Sequence, residues 1–481
     1  MSSSKRRELH VCIVGAGIGG LAAAIAIAQA GAKVTVLEAA EELGEIGAGI
    51  QMTPNASRLL IRWGVDKEIG EDLVCFDELN MRRKDGRKIG YTLIKRVETA
   101  CGTPWWVVHR HHLHNGLAKV AQRYGADIKI DSRVATIKWS DKVTVSTEKG
   151  TTYTFDFLIG ADGVSSIVRR TLYPNVTPTP PTNNAAYRAI VPFSQIAEDP
   201  IARELIGGPS GSKRSMEVWM APKSYIISYP ISNGRDFNMV LSHHRPAPVP
   251  KLEDIDMQEL YDEYKDYDPR IKRIVDMIPS AQRWPLLVTG PLDSWSNDRK
   301  NIVVMGDAAH SMTNHMAQGA ATSMEDGAFL GTCMKAYIEG TLPDMKTVVD
   351  LYEQNRMPLA DMKQQVSFLN GAIWMLDGED ADARDATMAP ELTGAAERGE
   401  LLRSANLYGD PQCVAQVYGY NVIEHADWAV DDWTRRMRAV GQRALGERGG
   451  WGKKDDGKDV LGIDGRENWK WMGWFAKGPR L

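Results

Sequence analysis

The segment Gly15-Ala16-Gly17-Ile18-Gly19-Gly20, set directly after the apolar run of residues 11–14, constrains this chain more than any other. A short continuous apolar run is what a parallel strand buried on both faces requires. Residues 21–30 are rich in alanine, the strongest helix former, and Gly31 is placed to end that helix. Residues 34–37, Val-Thr-Val-Leu, are β-branched and strand-like. The three pieces make a βαβ unit. Within it Gly15 allows the tight turn, Gly17 lets backbone approach a pyrophosphate, and Gly20 lets the helix pack close to its strand. The helix N-terminus offers unpaired N–H groups and the positive end of its dipole. Glu38 ends the second strand roughly 20 residues on, where a carboxylate accepts both ribose hydroxyls. A glycine-rich turn with no ligand satisfies this one segment as well, so it needs company.

Composition narrows the class. At 481 residues and 43% hydrophobic content the chain buries a large core, enough for two entangled domains and an extension. A net charge of −4 gives no reason to expect nucleic acid or an acidic membrane surface. The five cysteines are scattered and form no CxxC, which reads as buried thiols in a reducing, cytoplasmic setting. The most apolar N-terminal stretch, residues 21–32, is too short to span a membrane and already belongs to the βαβ unit.

Further along, Thr53 and Pro54 read as a helix start and Gly64 as its stop. Residues 79–108 are hairpin-like, with Asp85-Gly86 the turn. A second apolar run, 155–159, leads into Gly160-Ala161-Asp162-Gly163 and a helix to about Leu172. The Pro-rich stretch 174–181 marks a crossing between domains. Strand patterns follow at 187–191, 216–220, 225–230 and 237–241. From about Trp284 the chain returns to the first domain, where the apolar run 302–305 leads into Gly306-Asp307-Ala308-Ala309-His310. Gln318-Gly319-Ala320 opens a helix towards Ala328. Residues 377–403 are acidic and Ala/Gly-rich, expected to be a mobile loop or loose helices. The expected fold is α/β: a Rossmann-like domain interleaved with a mostly antiparallel β-sheet domain, plus a C-terminal helical extension. The boundaries fall at 1–180 (with an inserted hairpin near 79–108), 181–284, 285–375 and 376–481.

The three glycine- and aspartate-bearing segments, in this order, resemble those of FAD-dependent monooxygenases that hydroxylate aromatic rings. The resemblance covers most of residues 8–375 and is closest to the salicylate-hydroxylase-like branch of the p-hydroxybenzoate-hydroxylase fold. It implies that Asp307 holds the ribityl chain of FAD, and that Asp162 supports the cofactor from another side and helps admit the nicotinamide donor. Arg169 completes a "DGxxSxxR" pattern with Asp162. Arg110, in an "HRxxL" segment, would contact FAD, and the loop around Gly49 would run beside the flavin ring. Gly319 and Ala320 would open a helix aimed at the flavin pyrimidine, favouring negative charge there. The implied reaction takes electrons from NAD(P)H, adds dioxygen at the flavin C4a position and passes one oxygen to a phenol or phenolic acid, with decarboxylation or dearomatisation as variants. A single GxGxxG leaves NAD(P)H as a transient visitor.

The family loop "GDAAHPMLPYLAQGA" is altered here, where residues 306–320 read GDAAHSMTNHMAQGA. Both prolines are lost, so a less rigid loop is expected. His315 stands where the family has an aromatic residue, placed either to accept a proton from substrate or to be hydrogen-bonded within the loop. Arg188 matches an arginine that steadies a phenolate in a fungal branch of the family, and Tyr225 its assisting tyrosine, with Tyr229 the competitor. An interdomain salt bridge is the alternative for Arg188. The His109, His111, His112 and His114 group is expected to scatter rather than bind a metal. Trp469-Lys470-Trp471 resembles a flavin-halogenase segment but lacks its Ile-Pro continuation. Two rivals stay open: a binding protein on the same fold that has lost FAD, and a flavin halogenase. The expected partners are a small aromatic substrate, O2 and NAD(P)H, with no nucleic acid and no membrane span, in a monomer or homodimer.

Overall fold

The computed structural model describes residues 6–44, 47–211, 213–393, 398 and 400–440. Its organising element is a five-stranded parallel sheet in the order Ile302–Val304, Phe157–Gly160, His10–Val14, Lys33–Leu37 and Asp127–Lys129. The strand His10–Val14 sits at its centre, buried on both faces as its unbroken apolar run requires. The three glycine- and aspartate-bearing segments leave the same ends of neighbouring strands, which is what gathers them into one place.

The helix Ile18–Gln29 packs between this sheet and the helix Gly319–Ile338, which runs a further ten residues beyond the expected Ala328. The two helices touch through small residues. A Cβ on Gly327 would fall 2.7 Å from the Ala23 Cα, and one on Gly331 2.7 Å from the Ala26 Cβ. Larger side chains at either position would push the helices apart.

A second sheet of eight strands runs in the order Glu253–Asp254, Gln282–Pro285, Asn184–Pro192, Asp236–His244, Ser224–Ile231, Ser215–Ala221, Glu78–Arg83 and Lys88–Leu93. All neighbours are antiparallel except Ser215–Ala221 against Glu78–Arg83. The hairpin expected at 79–108 is therefore narrower, Glu78–Leu93, and extends this sheet. The rest of that stretch forms the helix Ile94–Cys101 and the strand Trp106–His109, which pairs with Gly49–Met52. One face of the large sheet is covered by a core that includes Tyr264, Ile271 and Ile274, the other by a core that includes Trp105, Trp374, Tyr408 and Tyr418.

Of the mobile loop or loose helices expected at 377–403, the described residues include a helix. Asp377 caps a helix, Gly378–Met388, laid on the edge strand of the hairpin. Arg83 binds Asp385 at 2.5 Å and Asp382 at 2.6 Å, so the acidity of this stretch answers a basic strand. The helix Val422–Val440 packs against Gly319–Ile338. Trp469, Trp471, Trp474 and Phe475 lie outside the described residues.

Candidate functional site

A cavity of 890 Å³ runs between the two sheets, from Gly17 and Glu38 at one end to Arg188 and Trp284 at the other. Gly15, Gly49, Arg110, Asp162, Asp307, Gly319 and Ala320 line it between those ends. Gly20 does not. Its role is steric, since a Cβ there would stand 2.0 Å from the Gly15 carbonyl oxygen. Gly15 has φ +101, and a Cβ there would strike the Ala161 carbonyl oxygen at 2.6 Å. A Cβ on Gly17 meets nothing within 4 Å, leaving space in front of the helix. Gly17 offers no side-chain cap, so the first-turn N–H groups of Ile18–Gln29 have no such partner. The turn is braced from behind by His114, whose Nε2 lies 2.7 Å from the Ala16 carbonyl oxygen.

Glu38 accepts from the amides of Ala16 at 2.7 Å and Ala40 at 2.8 Å, which fixes its carboxylate at the cavity wall. Asp162 caps the helix Ile167–Leu172, one oxygen accepting from Ile167 at 2.6 Å and Val168 at 3.2 Å. Its other oxygen is buried with no hydrogen-bond partner. Burial raises the Asp162 carboxyl above its usual range. Arg169 does not reach the cavity. Its guanidinium donates to the carbonyls of Ala308 at 3.0 Å and Val164 at 2.6 Å, tying the Asp162 turn to the Asp307 turn. Asp307 opens the short helix Asp307–His310 and is exposed to the cavity. A Cβ on Gly47 would lie 2.8 Å from the Arg110 Cδ, so the loop before Gly49 closes over that side chain. Gly49 donates to Asn238 Oδ1 at 2.7 Å, joining the loop to the large sheet.

Beneath the N-terminus of Gly319–Ile338 lies a fully buried set of charges that sequence reasoning missed. Arg356 donates to Glu325 and Asp326, both at 2.9 Å, and Lys363 binds both Glu325 oxygens at 2.8 Å. His310 sits 2.6 Å from Asp326. Although burial pulls the Asp326 carboxyl up, His310 and Arg356 hold it below its usual range. Asn55 bridges Glu325 to Gln318, and Gln318 donates to Thr53 at 3.0 Å. Removing one member would strand a buried charge, at a cost of roughly 3–5 kcal/mol. Two adjacent carboxylates among the small and apolar residues in the first half of this helix were the available sign that buried cations had to follow.

At the Arg188 end, strand periodicity sends Ala186, Arg188 and Ile190 to one face of the sheet and Tyr187, Ala189 and Val191 to the other. Arg188 is paired in register with Val240, and Val240 with Ile227, and all three line the cavity. The Arg188 guanidinium stands 4.9 Å over the Trp284 ring.

Tyr225, expected to assist at the substrate, and His315, expected either to face the substrate or to be hydrogen-bonded within the loop, do not line the cavity, and neither His315 ring nitrogen has a hydrogen-bond partner. Tyr229 and Trp374 do. Tyr225 is fully buried behind the loop 311–317, its hydroxyl donating to Asn314 Oδ1 at 3.2 Å, and burial pushes its phenol up to about 12. His315 points the same way, packed edge-on to Tyr225 and Trp374 with centroids 5.2 and 5.5 Å away. The loop that lacks the two prolines is held by residues from elsewhere in the chain. Its carbonyls accept from four buried or half-buried side chains: Gln364 to Ser311, Ser367 to Thr313, and both Asn370 and Tyr408 to His315. Among the described residues no cluster of three His, Cys, Asp or Glu side chains could hold a metal ion. No described helix is long and apolar enough to cross a membrane.

Residues 8–367 match the family model described as an FAD binding domain. The chain belongs to the family of FAD-dependent aromatic-ring monooxygenases. It is 33% identical over 365 residues to the 3-hydroxybenzoate 6-hydroxylase of Klebsiella oxytoca, covering 73% of this chain and 85% of that one. It is 29% identical over 443 residues to the FAD-dependent monooxygenase OpS4 of Beauveria bassiana (strain ARSEF 2860), covering 89% and 98%. Its fold is shared with a salicylate hydroxylase solved as a substrate complex, at a TM-score of 0.68, 20% identity and coverage of 88% and 98%. FAD is the family's cofactor.

Proposed function

We propose that this flavoprotein uses NAD(P)H and dioxygen to hydroxylate a phenol or phenolic acid held at Arg188. The observation that carries the reading is the continuity of the cavity. One end has the glycine turn and Glu38, and the other has the Arg188 guanidinium among Ile227, Tyr229, Val240, Trp284 and Trp374. That second end is mostly apolar with few polar groups, which suits a flat aromatic ring oriented by one charge.

The residues present fit FAD. The space before Gly17, the uncapped helix behind it and the unpartnered Asp162 oxygen are each what a bound dinucleotide would answer. Glu38 would take the adenosine ribose, the uncapped first-turn amides of Ile18–Gln29 the pyrophosphate, and Asp307 the ribityl chain. Gly319 and Ala320, opening a helix with no acidic residue in its first turn, would favour negative charge on the ring system. Arg110 and Gly49 would close the near side. Bound FAD, reduced by NAD(P)H, supplies the activation of dioxygen. The protein's own part is to keep that chemistry dry and to hold the ring as an electron-rich phenolate, which a nearby guanidinium favours. The test is NAD(P)H oxidation by the purified protein across a set of phenols and phenolic acids. Stimulation by members of the set supports the reading, and a protein that neither binds FAD nor responds to any of them refutes it.

A further inference from the structure

Asn314 stands where the family loop carries a proline, and it is among the residues that line the cavity. A primary amide has one acceptor oxygen and a nitrogen with two N–H donors. Here the oxygen is occupied from behind, since the Tyr225 hydroxyl donates to Oδ1 at 3.2 Å. No described residue accepts from Nδ2. The backbone on either side is fixed by Ser367 on the Thr313 carbonyl and by Asn370 and Tyr408 on the His315 carbonyl. Tyr225 is itself immobilised between His315 and Trp374. The amide is thus pinned by its oxygen to the protein wall, with its nitrogen left to the cavity that Arg188 also lines.

We propose that Asn314 is a specificity-determining residue that donates a hydrogen bond to an oxygen substituent of the substrate. This deepens, and rests on, the phenol-hydroxylase reading above. The ligand class is a phenol carrying a second, acceptor oxygen of the carbonyl or carboxylate type, with Arg188 on the phenolate and Asn314 on the acceptor. A proline at this position has no donor to offer, so relatives with the family loop lack the contact. In a mostly apolar pocket one such donor discriminates strongly, because a substrate without the acceptor leaves it unpaired.

The experiment compares hydroxyacetophenones with ethylphenols, matched in ring position and nearly in shape, so that only the carbonyl differs. Dissociation constants are read from the perturbation of the bound flavin's visible spectrum, and KM and kcat from NAD(P)H oxidation. The parent protein should favour at least one hydroxyacetophenone over its ethylphenol by about tenfold or more. Asn314→Leu should bring the pair within about threefold, mainly through the ketone's Kd and KM, with FAD content and resting spectrum unchanged. Asn314→Asp keeps the acceptor for Tyr225 and the side-chain size, and should weaken the ketone while sparing the ethylphenol. Tyr225→Phe should lose part of the preference, because the amide is then free to turn. A parent with no carbonyl preference, or a preference that survives both Asn314 variants, overturns the proposal while leaving phenol hydroxylation intact. Failure of every phenol to perturb the flavin or stimulate NAD(P)H oxidation overturns both.

Discussion

The imidazole of His315 lies so close over Gly371 that a Cβ there would come 2.5 Å from its Cε1. It is a wall residue. Neither ring nitrogen has a hydrogen-bond partner, and burial lowers its pKa to about 3. A base that weak, out of reach of the cavity, does not accept a substrate proton near neutral pH. His315→Phe keeps a flat ring against Tyr225 and Trp374 and should retain FAD and most phenol-stimulated turnover. A fall in kcat/KM of about 100-fold, the size expected on removing a general base, would return His315 to the chemistry.

Asp307→Ala and Glu38→Ala address the two ends of the cofactor. On the proposed placement each removes a charge-assisted hydrogen bond worth roughly 1.5–3 kcal/mol, so FAD should bind about 10- to 150-fold more weakly. Titrating the apoprotein with FAD by flavin fluorescence measures this. Unchanged affinity in both variants would mean that these side chains do not hold the cofactor.

Arg188→Ala should stay folded and keep FAD, yet divert reducing equivalents into hydrogen peroxide, because the ring is no longer held as an activated anion. Arg188→Lys should recover only part of the coupling, since an ammonium lacks the planar two-pronged contact. The readout is peroxide formed per NAD(P)H consumed. Unchanged coupling in Arg188→Ala would make Arg188 a structural residue.

Glu391 gives a stability test remote from the cavity. Its carboxyl accepts from the Tyr91 amide at 2.9 Å and the Asn406 side chain at 3.1 Å and meets the Ser404 hydroxyl, fastening the C-terminal extension to the hairpin. Burial raises it from 4.5 to about 7. The folded state therefore holds a proton that the unfolded state has released between those values, and stability falls as pH rises from 4.5 to about 7. Glu391→Gln escapes that loss. It should be more stable than the parent above neutral pH by roughly 2–3 kcal/mol, with the advantage gone near pH 4.5. Urea denaturation at both pH values decides it, and an equal difference at the two would show that the carboxyl does not titrate in this range.

Much of this was legible from local sequence. The apolar runs before Gly15, Gly160 and Gly306 fix three adjacent parallel strands, and the turns that follow them, with Glu38 at the end of the neighbouring strand Lys33–Leu37, gather the glycine turn, Asp162 and Asp307 at one edge. Alternation along Asn184–Pro192 put Arg188 on the cavity face. The same period could not separate Tyr225 from Tyr229, four residues apart on one face; the loop 311–317 intervenes at one and not the other. That loop's shape depends on Ser367, Asn370 and Tyr408, far away in the chain, so the direction of His315 was not legible in the local sequence. Composition at 377–403 could not decide between a mobile loop and loose helices because the charge partner of its acidic residues, Arg83, lies on a distant strand.

The most direct test of the central claim supplies the purified, FAD-loaded protein with NAD(P)H, isotopically heavy dioxygen and a phenol that stimulates oxidation. The account predicts a product carrying one heavy oxygen atom from the gas on its ring, formed in proportion to the NAD(P)H consumed. Oxidation that yields only hydrogen peroxide with every stimulating phenol, or a product whose new oxygen comes from water, would contradict it.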